Sequence, residues 1–295
     1  MKTSCCYCGT LDNAKEVYPA NFDANSFSVE VFSARRIPDR RYFRWVSCNS
    51  CKQFRSDPVV DLDLDYLYKE STFDYSDESV GLARTYFKLI ELGMDNVKGK
   101  SILEIGGGNG FVLDYALSQG CESVLGVEPS ILAVESASER VKPFMITSMF
   151  KPGIVPNEKF DCAVMFHVMD HLPDPLQTLE TIYAALSKQG IVVIAVHNVD
   201  SWSAKLFKSK SPIFDVEHTY LYSKNSAVNL LQKAGFAEVS ARGYWNTYSL
   251  RYLFQLLPMP NSIKSRLLNS FFGRAIGYIS LPVPLGNMVV IGTKI

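Results

Sequence analysis

Neither sign of charge is in excess in this 295-residue chain: 30 lysines and arginines face 30 aspartates and glutamates. A protein whose main partner is nucleic acid usually carries a basic excess to meet the phosphates, so that class is disfavoured. No uninterrupted apolar run reaches the roughly 18 residues a bilayer span needs, and no transmembrane segment is expected. The opening residues, MKTSCCYCG, lack the apolar core of a secretory signal, so the expected setting is the reducing cytoplasm. Internal repeats and low-complexity tracts are also lacking. Charged residues at 20% and apolar residues at 47% exclude disorder over most of the length. At about 150 residues per domain, the length admits two domains or one α/β domain with an appendage.

What is present is unevenly spread. Five of the seven cysteines (Cys5, Cys6, Cys8, Cys48 and Cys51) fall in the first 51 residues. Cys5-x-x-Cys8 and Cys48-x-x-Cys51 form two knuckles. Two thiolates three residues apart approach one ion from a single tight turn, and a second knuckle completes a tetrahedron. Four soft thiolates favour zinc over hard cations. With all four positions filled by protein the ion is structural, and it would supply folding energy to a unit too small to build its own core. A redox-active pair or unrelated cysteines are the competing readings. Alternation at 26–31 and 42–46 suggests short strands in this unit, and Asp57-Pro58 punctuates its end. Arg35, Arg36, Arg40, Arg41 and Arg44 could grip a phosphate, though such a run more often forms a solvated face.

Beyond an acidic, aromatic segment at 61–69, apolar residues at helical spacing predict a helix over 78–92. A β–α rhythm follows. Strands are expected at 101–105, 123–127, 144–147, 160–166, 190–196, 238–243 and 288–293. Helices are expected at 111–118, 131–141, 176–186 and 223–233, with a further amphipathic stretch at 262–279 read as a packed helix or lid. Short apolar strands alternating with helices imply a largely parallel seven-stranded, Rossmann-like sheet covered on both faces. The expected organisation is a zinc-ribbon-like β domain at 1–60, a linker and leading helix at 61–98, and the α/β domain at 99–295.

The first of these strands runs through Glu104 into Gly106-Gly107-Gly108-Asn109-Gly110, a G-x-G-x-G turn feeding a helix. Glycines there permit positive φ and let a ligand touch the backbone. The turn is not the G-x-G-x-x-G of dinucleotide folds, because position 111 is Phe. The next strand ends in Glu128, 18 residues after Gly110, where a carboxylate can accept both hydroxyls of a ribose. A plain tight turn with a surface acid is the bland alternative.

At these residues, and over about 78–295, the sequence resembles the class I S-adenosylmethionine-dependent methyltransferases. The likeness implies that Glu104, Gly106, Gly108 and Gly110 border the methionine part of S-adenosylmethionine and that Glu128 holds its ribose. It also implies that Pro129, Ser148 and His167 line the rest of the cofactor site. Phe160-Asp161-Cys162-Ala163-Val164 followed by His167-Val168-Met169-Asp170-His171-Leu172-Pro173-Asp174-Pro175 resembles the family's FDxV…HVLEHLxDP stretch. With the paired knuckles, this is similar to small-molecule methyltransferases of deoxysugar, surface-polysaccharide and natural-product biosynthesis that carry an N-terminal zinc-binding domain. The Glu217-His218 pair resembles the catalytic Glu-His of sugar C-methyltransferases. Only about 50 residues follow Gly243, whereas those enzymes carry a larger further domain.

Methyl transfer needs an attacking atom in line with the sulfonium methyl, and often a base. His171 follows the fourth strand at the edge of the sheet where ligands bind. The expectation is therefore catalysis by His218, Glu217 and His171, with His197 available to line the pocket. The expected acceptor is a small molecule, plausibly a nucleotide-linked sugar. An RNA-base methyltransferase with a zinc module is one alternative. A non-catalytic protein that holds cofactor and docks a partner is the other.

Overall fold

The computed structural model describes residues 3–22, 41–57, 79–250, 253–254 and 280–295. The strand expected at 26–31, the segment 61–69, the amphipathic stretch 262–279 and Arg35, Arg36 and Arg40 lie outside the described residues.

Seven strands form the main sheet: β4 (Ser101–Ile105), β5 (Ser123–Glu128), β6 (Met145–Thr147), β7 (Phe160–Phe166), β8 (Leu186–His197), β10 (Ala237–Gly243) and β13 (Asn287–Thr293). Their order is β10-β13-β8-β7-β4-β5-β6. The pairs β4–β5, β4–β7, β5–β6 and β7–β8 are parallel, while β13 runs antiparallel to both its neighbours. Alternate residues of the buried strands feed two cores, as a pleat requires. Leu103, Ala163, Met165, Val192 and Ile194 pack on one face, against α4 (Pro175–Ala185) and α6 (Lys224–Lys233). Ile102, Cys162, Val164, Val193 and Ala195 pack on the other, against α1 (Ser79–Glu91) and α2 (Phe111–Ser118). The fold is the expected mixed α/β sheet with helices on both faces.

Several elements differ from expectation, among them the strand expected at 42–46, which lies at Trp45–Cys48. The helix expected at 131–141 stops early, as α3 (Ile131–Glu135). The serines that follow are used otherwise: Ser136 Oγ bonds the Ala133 carbonyl, and Ser138 Oγ reaches Asp114 at 2.8 Å. Serine hydroxyls compete with helix propagation in this way. Strand β8 starts at Leu186, earlier than expected, because Leu186 already pairs with Phe160 at the base of β7.

The N-terminal strands β1 (Ala14–Tyr18), β2 (Trp45–Cys48) and β3 (Phe54–Ser56) form a second sheet, whose fourth strand is β9 (Tyr220–Leu221). Phe54 pairs with Leu221 and Arg55 with Tyr220. Ser56 N–H donates to the Thr219 carbonyl, and Gln53 Nε2 to the Leu221 carbonyl at 2.9 Å. Phe214 inserts its ring edge-on to Tyr18 and Trp45, with centroids 4.9 and 5.5 Å apart. The cysteine-bearing sheet is thus completed by the segment that follows His218. The short helix α5 (Trp202–Phe207) and the hairpin of β11 (Asn246–Ser249) with β12 (Ser280–Val283) complete the described elements. No helix among the described residues is long and apolar enough to cross a membrane.

Candidate active site

Cys5, Cys8, Cys48 and Cys51 come together, all their sulfurs within 4.8 Å of one another. The Cys5–Cys51, Cys8–Cys48 and Cys8–Cys51 sulfur separations are 3.3, 3.6 and 3.8 Å. Metal–sulfur bonds of about 2.3 Å in a tetrahedron give sulfur edges of about 3.8 Å, so the four thiols fit a single tetrahedral ion. Both knuckles turn alike. Gly9 N–H bonds the Cys5 carbonyl and Lys52 N–H the Cys48 carbonyl, and Gly9 and Lys52 have φ of 72° and 62°. Arg44, from the basic run, is committed to Asp57 at 2.9 Å. The remaining cysteines pack apolar clusters: Cys6 borders the core under α4, while Cys121 and Cys162 lie in the one under α2. Burial pushes the Cys121 thiol up to about 11.

The glycine loop leaves β4 with Gly106, Gly108 and Gly110 at φ of 69°, 54° and 71°. Only glycine adopts these angles without strain. Glu128 ties the loop to the end of β5. Its two carboxylate oxygens accept the Gly108 and Ser130 N–H groups, each at 2.9 Å. Each oxygen keeps a second lone pair, which leaves the carboxylate able to accept ribose hydroxyls. Burial raises the Glu128 carboxyl, against the pull of these two N–H donors. Glu104 is enclosed beside it. Its Oε2 has no hydrogen-bond partner among the described residues, and burial first, then the nearby Glu128, lifts the carboxyl well above the usual carboxylate range. An unpaired buried acid beside a glycine cradle suits a cationic ligand with a ribose, as S-adenosylmethionine is. Ser148 N–H bonds the Glu128 carbonyl at 3.1 Å, so Ser148 sits at the far end of this cradle. Pro129 is half-buried between Glu128 and the Ser130 cap of α3.

The loop that follows β7 lies directly against this cradle, since a Cβ on Gly106 would run into Val168. Around it gather all four histidines of the chain. The rings of His167 and His197 are 4.7 Å apart, those of His171 and His218 4.7 Å, and those of His197 and His218 5.2 Å. His167 has φ of 54°, and its Nε2 lies 3.1 Å from the Tyr244 hydroxyl. His167, expected beside the cofactor, thus joins the histidine group next to the glycine loop. His218 donates Nδ1–H to the Ile213 carbonyl at 2.7 Å. Thr219 and Tyr220 N–H groups both bond the Asp170 carbonyl, which clasps this loop to β9.

The carboxylate at the centre of the group is Asp170, wholly buried, with Oδ2 2.9 Å from His197 Nδ1. Burial would raise its carboxyl, but His197 foremost among the surrounding histidines holds it down to about 2. Burial, then the neighbouring His218, lowers His171 to about 3; burial, then His197, lowers His218 to about 4. The backbone N–H of Glu217 bonds Asp215 at 3.2 Å. Sequence spacing alone gives Asp170 and Tyr244 no role. Asp170 stands between two histidines of the HVMDHL run, which was the signal available for it. Donor atoms of His167, Asp170 and His197 lie within 4.8 Å of one another, close enough for a cation. Asp170 Oδ2 and His197 Nδ1 already satisfy each other.

The family model of a methyltransferase domain matches residues 81–241, more than half of the chain. The chain is 26% identical over 187 residues to the tRNA U34 carboxymethyltransferase of Aliarcobacter butzleri, covering 61% of this chain and 57% of that one. It is 25% identical over 122 residues to the ubiquinone biosynthesis O-methyltransferase of Haemophilus ducreyi, covering 38% and 51%. The chain spans about half the length of the curated relatives it matches. In fold it is similar to phosphoethanolamine N-methyltransferase 2 of Haemonchus contortus, solved with S-adenosyl-L-methionine. The TM-score is 0.50 at 17% identity, over 86% of this chain and 64% of that one.

Proposed function

The chain belongs to the methyltransferase-domain family, and from that premise we propose that it uses S-adenosylmethionine to methylate an oxygen or carbon of a small metabolite, such as a nucleotide-linked sugar or glycan intermediate. The observation that carries this reading is the convergence of four histidines and a buried aspartate on the wall of the glycine loop. His218 is buried and His171 half-buried, so the acceptor atom has to enter a recess partly shielded from water, which suits a small molecule. Glu104, Gly106, Gly108, Gly110, Glu128, Pro129 and Ser148 would hold the cofactor, whose sulfonium supplies an already activated methyl. The protein's own part is then to bind, orient and deprotonate the acceptor. His171, Glu217 and His218 serve in holding it.

The four clustered thiols take zinc in this reading. The ion is structural, because cysteine fills every tetrahedral position. Its work is to hold the β1–β3 sheet, and through it the segment after His218. Four thiols kept as ligands also suit the reducing cytoplasm.

A second reading, methylation of an RNA base, draws on the relatives named tRNA U34 carboxymethyltransferase. The balanced charge of 30 against 30 weighs against it. Incubation with methyl-labelled S-adenosylmethionine and, separately, total tRNA and the low-molecular-weight fraction of a cell extract tests the two. Label in the small-molecule fraction is expected. Label in tRNA alone, at a rate falling steeply with salt, would overturn the small-metabolite reading.

A further inference from the structure

We propose that His197 is the base that takes the acceptor's proton and that Asp170 is the residue that positions it, an inference that rests on the methyl-transfer reading above. The two residues come from neighbouring strands at the ligand-binding edge of the sheet. Asp170 lies in the loop after β7, and His197 is the last residue of β8.

One carboxylate oxygen fixes this histidine twice. Asp170 Oδ2 accepts the ring Nδ1–H at 2.9 Å and the backbone N–H of the same residue at 3.3 Å. With Nδ1 holding the proton, Nε2 is the basic nitrogen. The Asp170 side chain is 1% exposed, whereas that of His197 is 25% exposed. A buried carboxylate therefore stands behind an imidazole whose other edge is open, the arrangement in which an aspartate sets tautomer and steadies the imidazolium.

The other histidines are differently engaged. His218 spends Nδ1–H on the neutral Ile213 carbonyl, and His167 meets the Tyr244 hydroxyl. His218 is buried and His171 half-buried, and the loss of water around them depresses their basicity to about 4 and 3, which makes them poor proton acceptors at neutral pH. Asp170, held at about 2, is ionised there and balances the charge that His197 would gain. Adjacency in sequence points to Glu217 as a partner carboxylate; across the fold, Asp170 bonds the His197 ring at 2.9 Å.

The step balances simply. The acceptor's O–H or acidic C–H gives its proton to His197 Nε2. The electron pair left on that oxygen or carbon bonds the methyl carbon, and the carbon–sulfur pair stays on sulfur as a neutral thioether.

Two measurements test the dyad. In long-range 15N–1H spectra of the protein with S-adenosylmethionine bound, His197 should carry its proton on Nδ1, and Asp170→Asn should move it to Nε2. An Nε2–H tautomer in the unsubstituted protein overturns the dyad, whether or not any acceptor takes label. In the transfer assay with the low-molecular-weight fraction, His197→Ala and Asp170→Asn should each lose about 100-fold or more in rate. Cofactor affinity should stay within about twofold of the parent. The double variant should be no slower than the worse single one, since the two act as a unit. A His197→Ala rate within about threefold of the parent rejects the base while leaving methyl transfer standing. Failure of the unsubstituted protein to label that fraction, with the expected tautomer in place, would instead reject the acceptor class. Turnover that rises with added Mg2+ or Mn2+ and vanishes in His167→Ala would make the cluster a cation site, and would overturn the dyad as well.

Discussion

Glu104 sits one residue before the end of β4, 3% exposed, with Oε2 unpartnered among the described residues and Glu128 close by. Its carboxyl is raised well above 4.5 by burial and then by Glu128. An acid whose folded value lies above its unfolded value binds a proton more tightly when folded. The stability tied to that proton is whole below the unfolded value and drains away as pH climbs toward the folded one. The rate of loss is about 1.4 kcal/mol per pH unit for one group. Glu104→Gln removes the proton without much change of shape. The stability gap between variant and parent should therefore be flat below pH 4.5 and open above it, in favour of the variant, with that slope. For a domain of this size the slope amounts to roughly 3–5 °C in melting temperature per pH unit. Glu128, also raised, has burial as its largest cause in both proteins, so its own titration offsets in the difference apart from its coupling to Glu104. Thermal melts of the cofactor-free proteins at half-unit steps from pH 4.5 upward read the gap directly. Loss of the charge should also weaken S-adenosylmethionine binding by about tenfold or more, because a hydrogen bond to a charged group contributes about 1.5–3 kcal/mol. A gap that does not grow with pH refutes the argument that this carboxyl is strained by burial.

Gly106→Ala should cost about 1–2 kcal/mol for the left-handed φ alone, with a further cost from the new Cβ meeting Val168. Val168→Ala in the same background should recover the second part and not the first, as read by denaturant unfolding. On the proposal that the cysteine cluster holds zinc, chelating the ion should release amide protection at 54–56 and 219–221 together, since these strands bond each other. Hydrogen exchange that leaves 219–221 unchanged would contradict that coupling.

The fold was legible where local pattern and tertiary structure agree. The strand at 101–105, the glycine turn and the helix at 111–118 stand where their residues predict, because buried alternation, positive-φ glycines and a following apolar stripe all act within a few residues. The two knuckles were legible for the same reason, each being a four-residue turn. Two features were not legible. Strand β9 is two residues long, too short for any period, and exists only because β3 offers it an edge. The Asp170–His197 pairing joins residues 27 apart through neighbouring strand ends, a distance over which spacing in sequence carries no information. The motif contained Asp170, but the fold selects its partner.

The central claim is that cofactor loop and histidine group form one site, joined where Gly106 meets Val168. The chain has four histidines, all in that group, so a histidine-labelled sample reports on nothing else. Titrating such a sample with S-adenosylmethionine should shift all four imidazole signals along one saturable curve, and Glu128→Ala should abolish both the curve and the shifts. Saturable binding that leaves all four signals where they were would contradict the account.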